Sequence, residues 1–336
     1  MSILSRAKHL GDRIVLESKE FPARFKEYGF KVASVTFIDG LIPPEKHTFY
    51  IKTIEEYVNH FMEPVIEKYR DWKSEKAHIL CPGKMPVWCC WWQGTEQMPE
   101  LVRLCNDRLH QLLPKDGVEL HMLTEKNYQE YITLPDYIID KFKAGKMSIT
   151  ALSDVLRVAL LAQYGGFWID ATVFIANHFP MEFVQSDFYA QKMYDPIKWK
   201  REACKGRWCG FLMGGKAGNI IFQLLRDSFF LWWKVHDSVI DYVILDYFLL
   251  AGYHSIPEIQ RQIDNVPDNN PDVFEMYKVL NEPYTPALFE QLTKNTNLHK
   301  LTYKMELKPY TENGELSLYG FLNNFVKQEG DQWKTK

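Results

Sequence analysis

The 336-residue sequence is short of several features that would commit it early to a function. It has almost no net charge: 40 Lys and Arg stand against 43 Asp and Glu, a balance of -3. A whole-chain electrostatic attraction to nucleic acid is thereby excluded, and any anionic ligand must be held by a local site. Cysteines are few. The six (Cys81, Cys89, Cys90, Cys105, Cys204 and Cys209) form no CxxC pair of zinc-site spacing and lack the density of a small secreted scaffold. They read as reduced thiols of a cytoplasmic protein. No long apolar run survives unbroken either. The most hydrophobic stretch, "FFLWWKVHDSVIDYVILDYFLL", carries Lys234, Asp237, Asp241 and Asp246, which argues against a membrane span. The opening "MSILSRAKHLGDRIVLESKEF" is interrupted by charge too often for a secretory signal. H-E-x-x-H and G-x-S-x-G are missing, and "MGGKAGN" lacks the spacing of a P-loop.

What is present is apolar and aromatic. Hydrophobic residues make up 46% of the chain, with 10 Trp, 18 Tyr and 21 Phe, enough for a sizeable core and for flat surfaces against nucleobases or sugars. Residues 1 to 80 read as an accessory helical region, in which Pro64 should kink or divide the helix of "TIEEYVNHFMEPVIEKYRDW". Residues 81 to 336 read as the main domain. In it "CPGKMPVWCCWWQG" reads as a turn, a short buried strand and a glycine stop. "TEQMPELVRLCNDRLHQLLP" has helical spacing, and "VELHMLT" is a second strand. Helical patterns divided at Pro135 follow, and strand and helix continue to alternate. The alternation predicts an α/β protein with a mostly parallel sheet flanked by helices. Further on, "GFLMGGKAGN" reads as strand and turn, with Gly214 and Gly215 in the turn, and helical patterns run from about 217 to 252.

The segment "SDVLRVALLAQYGGFWIDATVF", residues 153 to 174, begins as a helix and ends as a strand. With Leu152, Val155, Leu156 and Ala159 as its buried stripe, Asp154 and Arg157 fall on the other side, about 60° apart. They can pair with each other or face a ligand together. Gly165 suits a left-handed helix cap, and Gly166 suits close backbone approach. In the strand, Phe167 and Ile169 alternate with Trp168 and Asp170, so one face carries an indole followed by a carboxylate. An acid at the carboxyl edge of such a sheet lies where α/β folds bind ligands.

These residues resemble the S-D-x-x-R…G-G-x-[YW]-x-D-x-[DT] signature of sugar transferases. The likeness is to the capsular polysaccharide synthesis protein family, related to α-mannosyltransferase-like enzymes and glucosylating toxins, and it covers roughly residues 85 to 305. Two further stretches fit: "VWCCWWQG" is similar to the family's first strand, and "LHKLTYK" to its C-terminal H-K motif. The resemblance implies a glycosyltransferase A fold, Rossmann-like, with residues 81 to 336 as catalytic domain. It implies transfer of a hexose from a UDP- or GDP-linked donor to an oligosaccharide or lipid-linked glycan, with retention of configuration, for capsular or other surface polysaccharide. No nucleic acid partner is expected, and the place of work would be the cytoplasm, at the inner face of the membrane.

The residue roles implied by the resemblance are specific. Trp92, or its neighbour Trp91, offers a face to the base, with Trp168, Gly165 and Gly166 beside the donor. Asp154 receives donor hydroxyls, Arg157 contacts the sugar or a phosphate, and Lys300 meets the diphosphate. Asp170 binds a divalent cation, Mg²⁺ or Mn²⁺, with Thr172 where the signature has its second acid. His299, as a nitrogen ligand, would favour Mn²⁺. Asp241 or Asp246, both placed within an apolar helix, reaches the donor sugar or acceptor, and Asp241 is preferred. The basic stretch 191–207, interleaved with Tyr194, Trp199 and Trp208, is assigned to the acceptor side. The alternative is a catalytically inactive scaffold that binds a sugar nucleotide or glycan.

Overall fold

The structure, a computed structural model, describes residues 3–42, 48–72, 83–114, 116–181, 186–200 and 202–334, with side chains over residues 11–328 of these. Cys81, Arg201 and the expected boundary at residue 80 lie outside the described residues.

Five strands form the central sheet: β1 (Met85–Cys90), β2 (Val118–Leu123), β3 (Gly166–Ile169), β5 (Phe188–Ala190) and β6 (Leu212–Gly215), in the order β2-β1-β3-β6-β5. β1 pairs in parallel with β2 and β3, while β6 runs against both β3 and β5, so β6 alone is reversed. The mostly parallel sheet predicted from the alternation is therefore observed. β4 (Val173–Ile175) and β7 (Leu298–Lys300) make a separate antiparallel ribbon. Gly214 and Gly215 are ladder residues of β6 rather than a turn, paired opposite Phe167 and Gly166. A Cβ on Gly214 would sit 2.4 Å from the Gly166 carbonyl oxygen, so the glycines let two backbones approach.

Two long helices open the chain, α1 (Ile3–Leu41) and α2 (Thr48–Arg70). α2 passes through Pro64 undivided. Pro64 lies on the exposed side, where water can satisfy the carbonyl it leaves free, while Ile54, Val58, Met62 and Tyr69 hold the opposite side in the core. The break falls in α1 instead, at Gly29 (φ 83°, ψ 173°). The next helices are α3 (Glu100–Leu112), α4 (Asp136–Lys143) and α5 (Ile149–Tyr164). α6 (Ile220–Val235) and α7 (Ile244–Ser255) are separated by residues 236–243, so Asp241 stands in a connection and only Asp246 is helical. α8 (Pro257–Asp264), α9 (Pro286–Thr293) and α10 (Leu318–Lys334) complete the set. Among the described residues no helix is long and apolar enough to cross a membrane.

One large apolar cluster joins α2, β1, β3, α5, α6 and α7, and a smaller one joins α3, β4 and α10. α5 sits inside the first. Ser148 caps it by accepting from the Ala151 N–H at 3.1 Å, and its expected stripe of Leu152, Val155, Leu156 and Ala159 is buried. So are Arg157, Val158, Leu160 and Leu161 on the remaining sides. Arg157 is therefore buried, and Asp154 is half-buried beside it.

Candidate functional site

Strand order reverses at β1, which has β2 on one side and β3 on the other, and the crevice between the carboxyl ends of β1 and β3 is where open α/β sheets receive ligands. From the end of β1 come Cys90, Trp91, Trp92 and Gln93; from the end of β3 come Asp170, Ala171 and Thr172. With Lys300, Thr302, Tyr303 and Lys304 after β7, they line an outer lobe of about 580 Å³. A second lobe of about 350 Å³ lies deeper, lined by Asp154, Glu202, Trp208, Asp246 and Trp199 among others. Arg157, Asp170, Tyr242, Phe274 and Lys300 border both, so the two are chambers of one cleft.

At the junction the charges are tied together. The Lys300 ammonium donates to Asp170 Oδ2 at 2.5 Å, and the Trp168 indole N–H to Oδ1 at 2.8 Å. Arg157 bridges the acids, with Nη1 2.7 Å from Asp154 Oδ1 and Nη2 3.3 Å from Asp170 Oδ1. Its guanidinium lies 5.0 Å from the centre of the Trp168 ring, and its buried Nε–H has no partner among the described residues. Burial acts to raise Asp170, but the Lys300 ammonium and Arg157 guanidinium outweigh it and hold the carboxyl below the usual range. Asp154 goes the other way: burial pushes it up to about 6 against the pull of Arg157. Two cations thus face one firmly ionised carboxylate and one that titrates near neutrality. Lys300 and Arg157 are the cations of this group that an incoming anion would meet, in competition with the two acids that already pair with them.

The inner chamber is apolar with acids set into it. Asp246, in the first turn of α7, accepts the Trp208 indole N–H at 2.9 Å, and burial pushes its carboxyl up to about 7. Burial also raises Glu202. From the stretch 191–207, Met193, Trp199, Glu202, Cys204 and Gly206 line the cleft, and none of its described basic residues does. Two of the basic groups serve the fold: Lys192 Nζ bonds the carbonyls of Ile263 and Val266 at 3.1 and 2.8 Å, and Arg207 lies over Tyr194. The five described cysteines are free, and burial lifts the Cys90 and Cys105 thiols to about 12, too high for a nucleophile.

Of the residues singled out in the sequence, Trp91, Trp92, Asp154, Arg157, Trp168, Asp170, Thr172, Asp246 and Lys300 are brought to this cleft. Others are not. Gly165 (φ 65°, ψ −147°, not the left-handed helical cap expected) and Gly166 (φ 88°) lie at the amino end of β3, about 13 Å from the ligand edge at strand rise. There they admit other backbone: added Cβ atoms would sit 2.3 Å from Ala217 N and 2.1 Å from Pro86 O. His299 faces away from Lys300, as neighbours in a strand do, and is fully buried with Nε2 3.1 Å from the Thr296 carbonyl. Burial holds it at about 4, so it is a neutral core histidine that does not line the cleft. Asp241 points into a groove beside α1, where the Tyr50 hydroxyl donates to it at 2.8 Å; the preference between the two acids is reversed in favour of Asp246. Trp168 does border the outer lobe, though it is only 1% exposed; its indole N–H holds Asp170 and its ring lies against the Arg157 guanidinium.

Tyr242, Glu202, Phe274, Tyr303 and Lys304 line the cleft without having been singled out as site residues. Tyr303 and Lys304 close the "LHKLTYK" stretch and Tyr242 stands beside Asp241, and no local pattern in the sequence marks a single ring as cleft-lining. No group of three or more His, Cys, Asp or Glu among the described residues could hold a metal ion by itself. No curated protein matches the sequence. The family model for capsular polysaccharide synthesis proteins matches residues 41–320, a span containing both chambers and every residue of the charged junction. The chain belongs to the capsular polysaccharide synthesis protein family.

Proposed function

We propose that the chain is a glycosyltransferase of the glycosyltransferase A type, moving a hexose from a nucleotide-sugar donor to a glycan acceptor in surface polysaccharide synthesis. The observation that carries this reading is the Asp154–Arg157–Asp170–Lys300 group at the strand-order reversal, with a tryptophan-lined chamber on one side and an acid-containing chamber on the other. The reversed β6 in an otherwise parallel sheet is compatible with that fold type. In this reading Trp91 and Trp92 border the base, Lys300 and Arg157 meet the diphosphate, and Asp154, Asp246 and Glu202 take hydroxyls of the hexose or acceptor. Cleavage of the anomeric bond builds negative charge on the departing diphosphate. Lys300 and Arg157, already fixed by Asp170, oppose that charge without rearrangement.

A hard divalent cation takes one or two carboxylates together with phosphate oxygens. Asp170 with the Thr172 hydroxyl fits such a shared site, whereas His299 does not. Bound there, Mg²⁺ or Mn²⁺ would add Lewis-acid stabilisation of the leaving group. The acceptor is a glycan, free or lipid-linked.

The test is release of nucleoside diphosphate from a panel of UDP- and GDP-hexoses, with Mn²⁺, with Mg²⁺ and with chelator, in the native chain and in Asp170→Asn. Turnover of one donor, reduced about a hundredfold or more in the variant, is expected if Asp170 organises the site. Donor binding without release would favour the scaffold alternative, and neither binding nor release would remove the donor reading altogether.

A further inference from the structure

α1 ends where the matched family segment begins, yet it is fastened to the cleft. Its Glu27 carboxylate accepts from the backbone N–H groups of Asp237 and Ser238 at 2.5 and 2.9 Å, and from the Ser238 hydroxyl at 2.9 Å. The next residue, Tyr28, donates its hydroxyl to the Ser238 carbonyl at 2.8 Å. From the start of α2, Tyr50 holds Asp241, whose other oxygen accepts from the Val243 N–H at 3.0 Å. The α6–α7 connection is thereby clamped at both ends.

Between the clamps stands Tyr242. Its side chain borders both chambers of the cleft, yet the residue is 75% exposed, and no described residue hydrogen-bonds its hydroxyl. The nearby carboxylates of Asp154 and Asp170 are felt by the phenol. A large ring left open to water is costly to hold in one place. Hydrogen bonds to the backbone and side chains of residues 237–241 from two helices nonetheless hold the connection on which it stands. Its place at the passage between the chambers is where a sugar nucleotide spanning them would change from diphosphate to hexose.

We propose that Tyr242 is a donor-contacting residue that packs against the hexose of the sugar nucleotide, and that α1, through Glu27 and Tyr28, is the element that positions it. The inference rests on the donor reading and adds to it a sugar-specific contact and a role for the segment outside the family match. An aromatic ring gives a pyranose an apolar face to cover, while the clamps remove the loop ordering that binding would otherwise require.

The full-length chain is titrated calorimetrically with UDP and GDP, and with UDP- and GDP-hexoses, in native form and as Tyr242→Ala, Tyr242→Phe, Glu27→Ala, Glu27→Gln and the Glu27→Ala/Tyr242→Ala pair. Tyr242→Ala is expected to weaken the bound hexose nucleotide about tenfold while nucleoside diphosphate affinity stays within about twofold, and Tyr242→Phe to remain near native. Glu27→Ala should cost the hexose nucleotide about threefold, Glu27→Gln less, and the double variant no more than Tyr242→Ala alone, since coupled residues do not add. Equal losses for nucleoside diphosphate and hexose nucleotide, or no loss, would overturn the contact. Additive losses would overturn the positioning role of α1. Should Glu27→Ala fail to fold, Tyr28→Phe removes one clamp at smaller risk, with the same reading. If the native chain binds no nucleoside diphosphate, the donor reading falls and takes this inference with it; if it binds but Tyr242→Ala makes no difference, this inference falls alone.

Discussion

Asp246 is the cleft acid that its environment shifts most strongly. It lies in an apolar chamber with one indole donor, and burial raises its carboxyl from an ordinary 3.8 to about 7. The sign of the linkage is fixed by that direction. Below the ordinary value the group is protonated in both folded and unfolded chains and costs nothing; as pH rises, the unfolded chain ionises first, and stability is lost until the folded carboxyl has titrated through about 7. Asp246→Asn keeps an acceptor for Trp208 and cannot ionise. Its melting temperature relative to native should therefore rise steadily between pH 4 and pH 8, and a difference independent of pH would show that Asp246 is ionised throughout. The neighbouring Asp154 contributes a smaller trend of the same sign, because it too is raised by burial, to about 6.

Among the elements, the turn from α5 into β3 carries the tightest constraint. Gly166 combines positive φ with a Cβ position 2.1 Å from the Pro86 carbonyl oxygen, so a side chain there would push β3 away from β1 and move Asp170 at the far end. Gly314 has a similar φ of 81° and open space around it. Replacing each by alanine separates the two effects. Gly314→Ala should cost about 1 kcal/mol, the ordinary penalty of that backbone conformation. Gly166→Ala should cost roughly 3 kcal/mol or more because overpacking against fixed backbone is added. Denaturant unfolding measures both, and equal costs would mean that the β1–β3 contact yields easily.

At the level of the molecule, α2 is built into the main core. Ile54, Val58 and Met62 are fully buried in the same apolar cluster as β1, β3 and α5, and α2 packs on both α6 and α7. Met62→Ala should then destabilise the whole chain by about 3 kcal/mol, within the range for a buried methionine truncated in a core. Tryptophan fluorescence and far-UV circular dichroism should report one coincident transition at a lower midpoint. An early, separate loss of helix would instead mark residues 48–70 as an independently unfolding unit.

Asp154, Arg157, Gly165, Gly166, Trp168 and Asp170 were legible as a helix, a turn and a strand because they lie within one short segment. Helical period, glycine and strand alternation act over only a few residues. The same local rules made β1, β2 and the parallel tendency of the sheet readable, since each rests on a run of apolar residues and a break. They could not say that α5 buries Arg157 and Val158 as well as its expected stripe, which depends on α6, β1 and β3 packing around it. Nor could they choose between Asp241 and Asp246, where a break in helix between α6 and α7 turns one acid toward Tyr50 of α2 and the other into the cleft. His299 and Lys300 are adjacent in the chain, and pairing of β7 with β4 decides which reaches Asp170, 130 positions earlier. Tyr242 is the extreme case: its identity is written in the chain, but its place at the passage between chambers follows from hydrogen bonds to Glu27 and Tyr28, about 210 residues away. Local sequence sets which way a side chain points along its own element; only long-range packing sets what it points at.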